Sequence, residues 1–244
     1  MDDKLKIAAE LEHFFQEMLE VCSKQCDDAQ KLFAVSLGCQ CLSNFQAVIL
    51  LVKNRKDEEA RMIIRSFWEA IVRLAATVKE KDFILKVVYA EDHKSKNRLK
   101  RVSPNTETDE MIQAVEEKLK QVDLKTLLDT PKGWFDSNGG LILDKVATDC
   151  GLSDIHKHHA LYYGWSVHVN NRRVARFLKF DLTGKWVGMN FDPDPTDING
   201  VLFKACNLLV GAMIELRKLF QIDMNEAAKK WVSMFEELPP GWEA

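Results

Sequence analysis

Residues 63–75, IIRSFWEAIVRLA, decide the fold class because nine of these thirteen residues are apolar. The four exceptions are Arg65, Ser66, Glu69 and Arg73. On a helix with about 100° between residues they fall within one sector of about 100°. A helix that is apolar over the remaining 260° or so is typical of one surrounded by other helices. The segment therefore predicts a multi-helix protein with a narrow polar stripe (Arg65, Ser66, Glu69, Arg73) on a largely buried helix.

The distribution of proline and glycine extends the helical prediction to the first 103 residues. That stretch contains no proline and one glycine, Gly38, whereas a strand-rich fold needs many turns built from these residue types. Apolar residues recur at helical spacing. They predict four helices, over about 3–27, 29–53, 57–79 and 82–101.

The rest of the chain is predicted to be helical with one exception. Apolar periodicity and capping residues predict helices over about 108–122, 141–150, 153–169, 197–220 and 225–238. Two weakly alternating segments flank Thr183-Gly184 and predict a β-hairpin near 176–191. We therefore expect a mainly α-helical protein of about eight to ten helices, forming a single domain over 1–244.

Composition excludes several classes of protein. The 244 residues are 46 % hydrophobic and carry 34 basic against 37 acidic side chains, so disorder and a strongly polycationic nucleic-acid binder are disfavoured. The longest apolar runs are far shorter than the roughly 20 residues of a membrane span, and the N-terminal residues lack the apolar region of a signal peptide. We expect a cytoplasmic protein that has no membrane partner.

The six cysteines are interpreted as reduced core thiols, as is usual in that compartment. Cys22-x3-Cys26 and Cys39-x-Cys41 raise the alternative of a zinc site, but their spacing matches no strong zinc pattern. We expect neither a metal nor a cofactor.

The polar stripe has two interpretations that the sequence leaves open. Arg65, Glu69 and Arg73 lie four residues apart, and Arg61 extends the series. They either form a solvated face with i,i+4 ion pairs or face an internal polar site, where charges must be paired.

A second polar segment is ALYYGWSVHVNNRR, residues 160–173. Ser166 and His168 are two residues apart and would share a site only if the helix ends there, which Asn170-Asn171 favours. His168 is a candidate general acid or base near neutral pH, or else a histidine that caps the helix end. Ser166 is a weaker candidate nucleophile because no Gly-x-Ser-x-Gly sequence surrounds it.

A short basic run precedes Pro104. Cations at a helix C-terminus complement the helix dipole, which explains the run without a ligand. The alternative is contact with a nucleic-acid backbone. The residues are Lys94, Lys96, Arg98, Lys100 and Arg101.

The segment Ile64–Ala70, followed by Tyr163–His168 and Arg172-Arg173, resembles the bacterial domain-of-unknown-function family 5677. The resemblance covers about residues 30–215, and Ser166 and His168 are one residue closer together than in the family pattern. It implies a helical fold in which Arg65, Glu69, Ser166 and His168 meet in space.

A more distant similarity, in fold class alone, is to the HEPN ribonucleases of phage-defence and toxin–antitoxin systems. The mark of that family is Arg-x(4–6)-His, and none of the six histidines of this chain has an arginine at that spacing before it. The reverse order, His168-x3-Arg172, is present.

These residues support three functional hypotheses. The favoured one is a helical binding or regulatory module with a polar site of Arg65, Glu69, Ser166 and His168. The alternative is a metal-independent nuclease or phosphotransfer enzyme, with His168 as general acid or base and arginines stabilising phosphate charge. The third is a sensor in which Arg65 binds an anion. The candidate ligand-binding residues are Arg65, Tyr163, Arg172 and Arg173. Six tryptophans and long apolar helices also favour self-association.

Overall fold

The structure is a computed structural model that describes residues 2–88, 91, 113, 133–136, 140–153, 178–189 and 197–222. Its α-helices are α1 (Asp2–Ser23), α2 (Ala29–Lys53), α3 (Asp57–Lys79), α4 (Leu143–Asp149) and α5 (Ile198–Phe220). Residues 83–88 are helical as well. Two antiparallel strands, β1 (Leu178–Phe180) and β2 (Trp186–Met189), form a small sheet.

The mainly helical prediction and the β-hairpin are confirmed. The bounds predicted for the helices over 29–53 and 57–79 are those observed. The described residues contain six helical segments, fewer than the eight to ten predicted for the whole chain. The predicted helices over 108–122, 153–169 and 225–238 lie outside the described residues, apart from 113 and 153.

Side chains fix the start of two long helices. The carboxylate of Asp28 accepts a hydrogen bond from the backbone N–H of Lys31 at 2.8 Å and begins α2. The carboxylate of Asp197 does the same for Gly200 at 2.9 Å and begins α5. Each bond satisfies one of the backbone donors that a helix N-terminus leaves without an intrahelical partner.

The core lies where α2, α3 and α5 pack against one another, with α1 against α2 and α5, and α4 against α3. Gly38 lies on α2 at the crossing with α1 and α5. A Cβ at this position would lie 2.6 Å from Cδ2 of Leu19 and 3.2 Å from Cδ1 of Leu216. The only glycine of the first 103 residues therefore lies where a side chain on α2 would meet side chains of both α1 and α5.

An aromatic group closes the end of the core beyond α3. Phe83 packs edge-on against the indole of Trp134, with ring centroids 5.6 Å apart. The indole Nε1–H of Trp134 donates to Oδ2 of Asp149 at 2.6 Å. Both aromatic side chains are fully buried, so this bond satisfies the one polar atom of the Trp134 side chain.

Within the part of the chain that the structure describes, two helices are long and apolar enough to cross a membrane, judged by length and composition alone, namely α2 and α5. The core helices of soluble proteins meet the same criteria, and both α2 and α5 contribute many buried residues to the core. They are therefore weak evidence for a membrane location.

The cysteines fall into three groups by burial, of which the partly buried group is Cys26 and Cys150. Cys22, Cys41 and Cys206 are buried, as the core-thiol interpretation predicts, and all six thiols are free. Cys39 is exposed, so that interpretation is wrong for this residue. Cys39 lies two residues before Cys41, and residues two apart on a helix point about 200° apart.

Candidate functional site

The middle of the polar stripe on α3 faces solvent. Nε of Arg65 lies 3.3 Å from Oε1 of Glu69, and the two side chains are 44 % and 38 % exposed. Of the two interpretations of the stripe, the solvated face with i,i+4 pairing therefore applies to Arg65 and Glu69. The two ends of the stripe are different.

Towards its N-terminus, the stripe continues into a charge cluster that we define as Asp57, Glu58, Arg61 and Asp197. Nη2 of Arg61 lies 3.4 Å from Oδ2 of Asp197 and 3.9 Å from Oδ2 of Asp57, and its Nη1 lies 3.7 Å from Oε1 of Glu58. Asp57 is only 2 % exposed. One guanidinium thus lies among three carboxylates at the point where α3 and α5 begin.

Lys204, one helical turn beyond Gly200 on α5, lies close enough to the charge cluster to interact with Asp197 and Arg61. Burial lowers the pKa of the Lys204 ammonium below its ordinary value, the carboxylate of Asp197 opposes this shift, and the charge of Arg61 adds to it. The Lys204 side chain is half-buried at this end of α5.

The predicted polar stripe includes Arg61 but not its contacts with Asp57, Glu58 and Asp197. The contact between α3 and α5 joins residues about 140 positions apart in the chain, and the local spacing of residues holds no signal of that kind.

Towards its C-terminus, the stripe borders an open groove with a volume of about 330 Å³. Three helical segments form it, and each contributes residues from successive turns. The lining residues are Phe33, Leu37 and Gln40 of α2; Ser66, Glu69, Ala70 and Arg73 of α3; and Val87, Val88 and Glu91.

The groove combines an apolar floor with opposite charges. Leu37, Ala70 and Val87 are buried. Nη1 of Arg73 on α3 lies 3.3 Å from Oε1 of Glu91, and both residues line the groove. Glu69 lies one turn before Arg73, so the lining carries two carboxylates and one guanidinium.

The remaining predicted site residues, namely Tyr163, Ser166, His168, Arg172 and Arg173, lie outside the described residues, and so does the basic run Lys94, Lys96, Arg98, Lys100 and Arg101. The predicted meeting of Arg65 and Glu69 with Ser166 and His168 stays a prediction. Among the residues that are described, no three His, Cys, Asp or Glu side chains are grouped so that they could hold a metal ion.

Comparison with known proteins gives one match. The model of a family of unknown function, DUF5677, matches residues 31–184. No curated protein and no solved structure matches the chain. The matched region begins where the motif resemblance predicted and ends at residue 184 rather than near 215. Because it covers more than half of the chain and includes the motif Ile64–Ala70, the chain belongs to the DUF5677 family of unknown function.

Proposed function

We propose that this protein is a binding module whose groove, lined by α2, α3 and the residues Val87, Val88 and Glu91, holds a small amphipathic molecule. The observation that carries the proposal is the lining of the groove, where a buried apolar floor lies beside paired opposite charges. Small-ligand sites have this character, with apolar walls and a few placed polar groups.

The floor selects the body of the ligand. Leu37, Ala70 and Val87 are buried, and Phe33 adds an aromatic side chain. The volume of about 330 Å³ lies at the lower end of the range for ligand pockets, about 300–1,000 Å³. A single ring or a short branched chain fits this space.

The charges select the head group. The ion pairs Arg73–Glu91 and Arg65–Glu69 are partly exposed, and such pairs contribute roughly 0–1 kcal/mol each, so a ligand can replace them at small cost. A ligand carboxylate would bind Arg73, and a ligand ammonium would bind Glu69 and Glu91. We propose a zwitterion with an apolar body, because it compensates both signs of charge.

The polar site predicted from the sequence belongs to the same proposal. Arg65 and Glu69 lie beside the groove, and we propose that Ser166 and His168 complete a regulatory polar site there. Tyr163, Arg172 and Arg173 are the proposed further ligand contacts.

Three probes that share one apolar body test the head group. Phenylalanine is a zwitterion, phenylacetate an anion and phenethylamine a cation. We expect phenylalanine to raise the melting temperature most, because it compensates both signs of charge in the groove. A ligand at ten times its Kd stabilises the folded state by about 1.4 kcal/mol. The effect should disappear in Arg73→Gln, and in Ala70→Phe, which fills the floor.

The matched control is Arg217→Gln, which neutralises an exposed arginine in the last turn of α5. It should leave the phenylalanine effect unchanged. If none of the three probes raises the melting temperature, the proposed function is wrong. If phenylacetate or phenethylamine has the larger effect and Arg73→Gln abolishes it, the groove is the site and the zwitterion is wrong.

The second candidate function is the metal-independent nuclease, with His168 as general acid or base and Arg65, Arg172 and Arg173 contacting phosphate. One observation favours it. The side chain of Arg65 is 44 % exposed, so a phosphate in solution can reach it.

A further inference from the structure

The hairpin formed by β1 and β2 exposes an unusual amount of apolar surface. Leu182 at its tip is fully exposed, and Trp186 and Val187 are 57 % and 59 % exposed. Met189 is exposed as well. A patch of neighbouring apolar side chains on a protein surface marks an interaction site more often than scattered single residues do.

The strand register places two of these side chains on one face. Trp186 pairs with Phe180, and Met189 pairs with Leu178, while one extra residue lies between them in β2. Because their partners are two residues apart in β1, Trp186 and Met189 share a face of the hairpin. Lys179 pairs with Gly188 and belongs to the opposite face. The hairpin is therefore amphipathic.

The turn at the tip satisfies most of its own backbone donors, among them those of Thr183, Gly184 and Lys185. Oδ1 of Asp181 accepts hydrogen bonds from the backbone N–H of Thr183 at 2.9 Å and of Lys185 at 3.0 Å. It also accepts the hydroxyl of Thr183 at 2.6 Å. The backbone N–H of Gly184 donates to the carbonyl of Asp181. A tip whose donors are satisfied can leave water at a smaller cost than one whose donors are free.

Two lysines accompany the apolar side chains. Lys179 and Lys185 are exposed, and the single acid between them, Asp181, is engaged within the turn. These exposed cations add positive charge to the hairpin, although the whole chain carries a net charge of −3.

We propose that this hairpin binds the surface of an anionic lipid bilayer. Leu182, Trp186 and Met189 enter the boundary between headgroups and acyl chains, where tryptophan is favoured, and Lys179 and Lys185 contact the headgroups. The bilayer supplies an apolar layer and negative charge within a few ångströms of each other, which is the pattern that the hairpin presents. This is peripheral binding by a turn, and it involves no spanning helix.

The test is flotation of the full-length protein with vesicles of phosphatidylcholine alone or mixed with phosphatidylserine. We expect binding to the mixed vesicles, and about tenfold weaker binding by Leu182→Asp, since a buried leucine contributes an interaction of that size. The double variant Lys179→Glu, Lys185→Glu should lose a similar factor, and should lose it only for the anionic vesicles.

The matched control is Leu50→Asp, because Leu50 is 63 % exposed on α2, far from the hairpin in sequence. It should bind the mixed vesicles as the unaltered protein does. Absence of binding to the mixed vesicles overturns the proposal, as does equal loss of binding in Leu50→Asp. A dimer in light scattering that Leu182→Asp dissociates, without vesicle binding, would identify a second copy as the partner and also overturn it.

Discussion

The backbone N–H of Asp197 donates a hydrogen bond to Oδ2 of Asp57 over 3.1 Å, which joins the N-cap of α5 to the first turn of α3. The same carboxylate lies near Arg61, which also approaches Oδ2 of Asp197. Carboxylates at both helix N-termini interact favourably with the positive ends of the helix dipoles. The charge cluster thus fixes where two core helices begin relative to each other.

Removing the buried carboxylate should destabilise the protein strongly. We expect Asp57→Ala to lower the free energy of unfolding by about 3 kcal/mol, because it leaves a buried donor and part of a buried charge without a partner. Asp57→Asn keeps an acceptor for the N–H of Asp197 and should cost less. Urea denaturation measures both. Glu59→Ala, an exposed acid of the same turn, is the control and should change stability by about 0.5 kcal/mol or less. Equal effects of Asp57→Ala and Glu59→Ala would contradict the role of the cluster.

The exposed ion pair should contribute little. We expect Arg65→Ala and Glu69→Ala each to lower the free energy of unfolding by less than about 1 kcal/mol, because both side chains are more than a third exposed. A double-mutant cycle should give a coupling energy of about 0.5 kcal/mol or less. A coupling energy above roughly 2 kcal/mol would mean that the ion pair is buried within the dissolved protein, as an internal polar site requires.

Overpacking the helix crossing should destabilise the core. We expect Gly38→Val to lower the free energy of unfolding by about 1–3 kcal/mol, because its side chain would enter space that Leu19 and Leu216 occupy. Ser43→Val places the same side chain at an exposed position of α2 and controls for helix propensity. Thermal unfolding compares the two variants, and similar melting temperatures would show that the crossing has room to adjust.

Thiol reactivity should separate the cysteines. Burial raises the pKa of the Cys22 and Cys206 thiols to about 12, and it raises that of Cys41 as well. Since the thiolate is the reactive form, these three should react with a disulfide reagent at pH 8 only after unfolding. Cys39 is exposed and should react in the folded protein. Cys39→Ser should remove the fastest phase, and its persistence in that variant would show that another thiol, such as the partly buried Cys26 or Cys150, is equally reactive.

The nuclease alternative has a direct test. We expect purified protein to leave RNA and DNA intact in the presence of EDTA, because the Arg-x(4–6)-His spacing of the HEPN ribonucleases is absent. Cleavage by the unaltered protein that His168→Ala abolishes, at an unchanged melting temperature, would establish catalysis. Arg65, Arg172 and Arg173 would then be the next residues to replace.

Local patterns were sufficient to locate the main helices. Asp28 caps α2 through a hydrogen bond from the backbone N–H of Lys31, and the acids at 57–59 occupy the first turn of α3, where negative charge is favoured. The hairpin followed from Thr183-Gly184, since Gly184 has the positive φ of 82° that this turn requires. The residues that produce these local features lie within or beside the element itself, so the sequence of that element is enough to predict it.

The site could not be predicted in the same way. The angular position of Arg65, Glu69 and Arg73 on α3 was correct, but the neighbours that cover or expose that face belong to other elements. The groove needs Leu37 of α2 and Val87 of the next segment to lie beside Ala70. Whether a charge is solvated therefore depends on packing between segments, and the helical spacing of the charges carries no information about it.

The region that matches the family does not include all of the helices that form the core, since α5 lies outside it. Leu202 and Leu209 of α5 are fully buried, yet the whole helix lies beyond residue 184. Both α1 and α5 would be missing entirely from a fragment cut at the family boundaries, and the faces of α2 and α3 that they cover would meet water. We expect such a fragment to aggregate. Relatives that share only the matched region need other helices to shield the same two faces, and the sequences that flank it are where those helices should be sought.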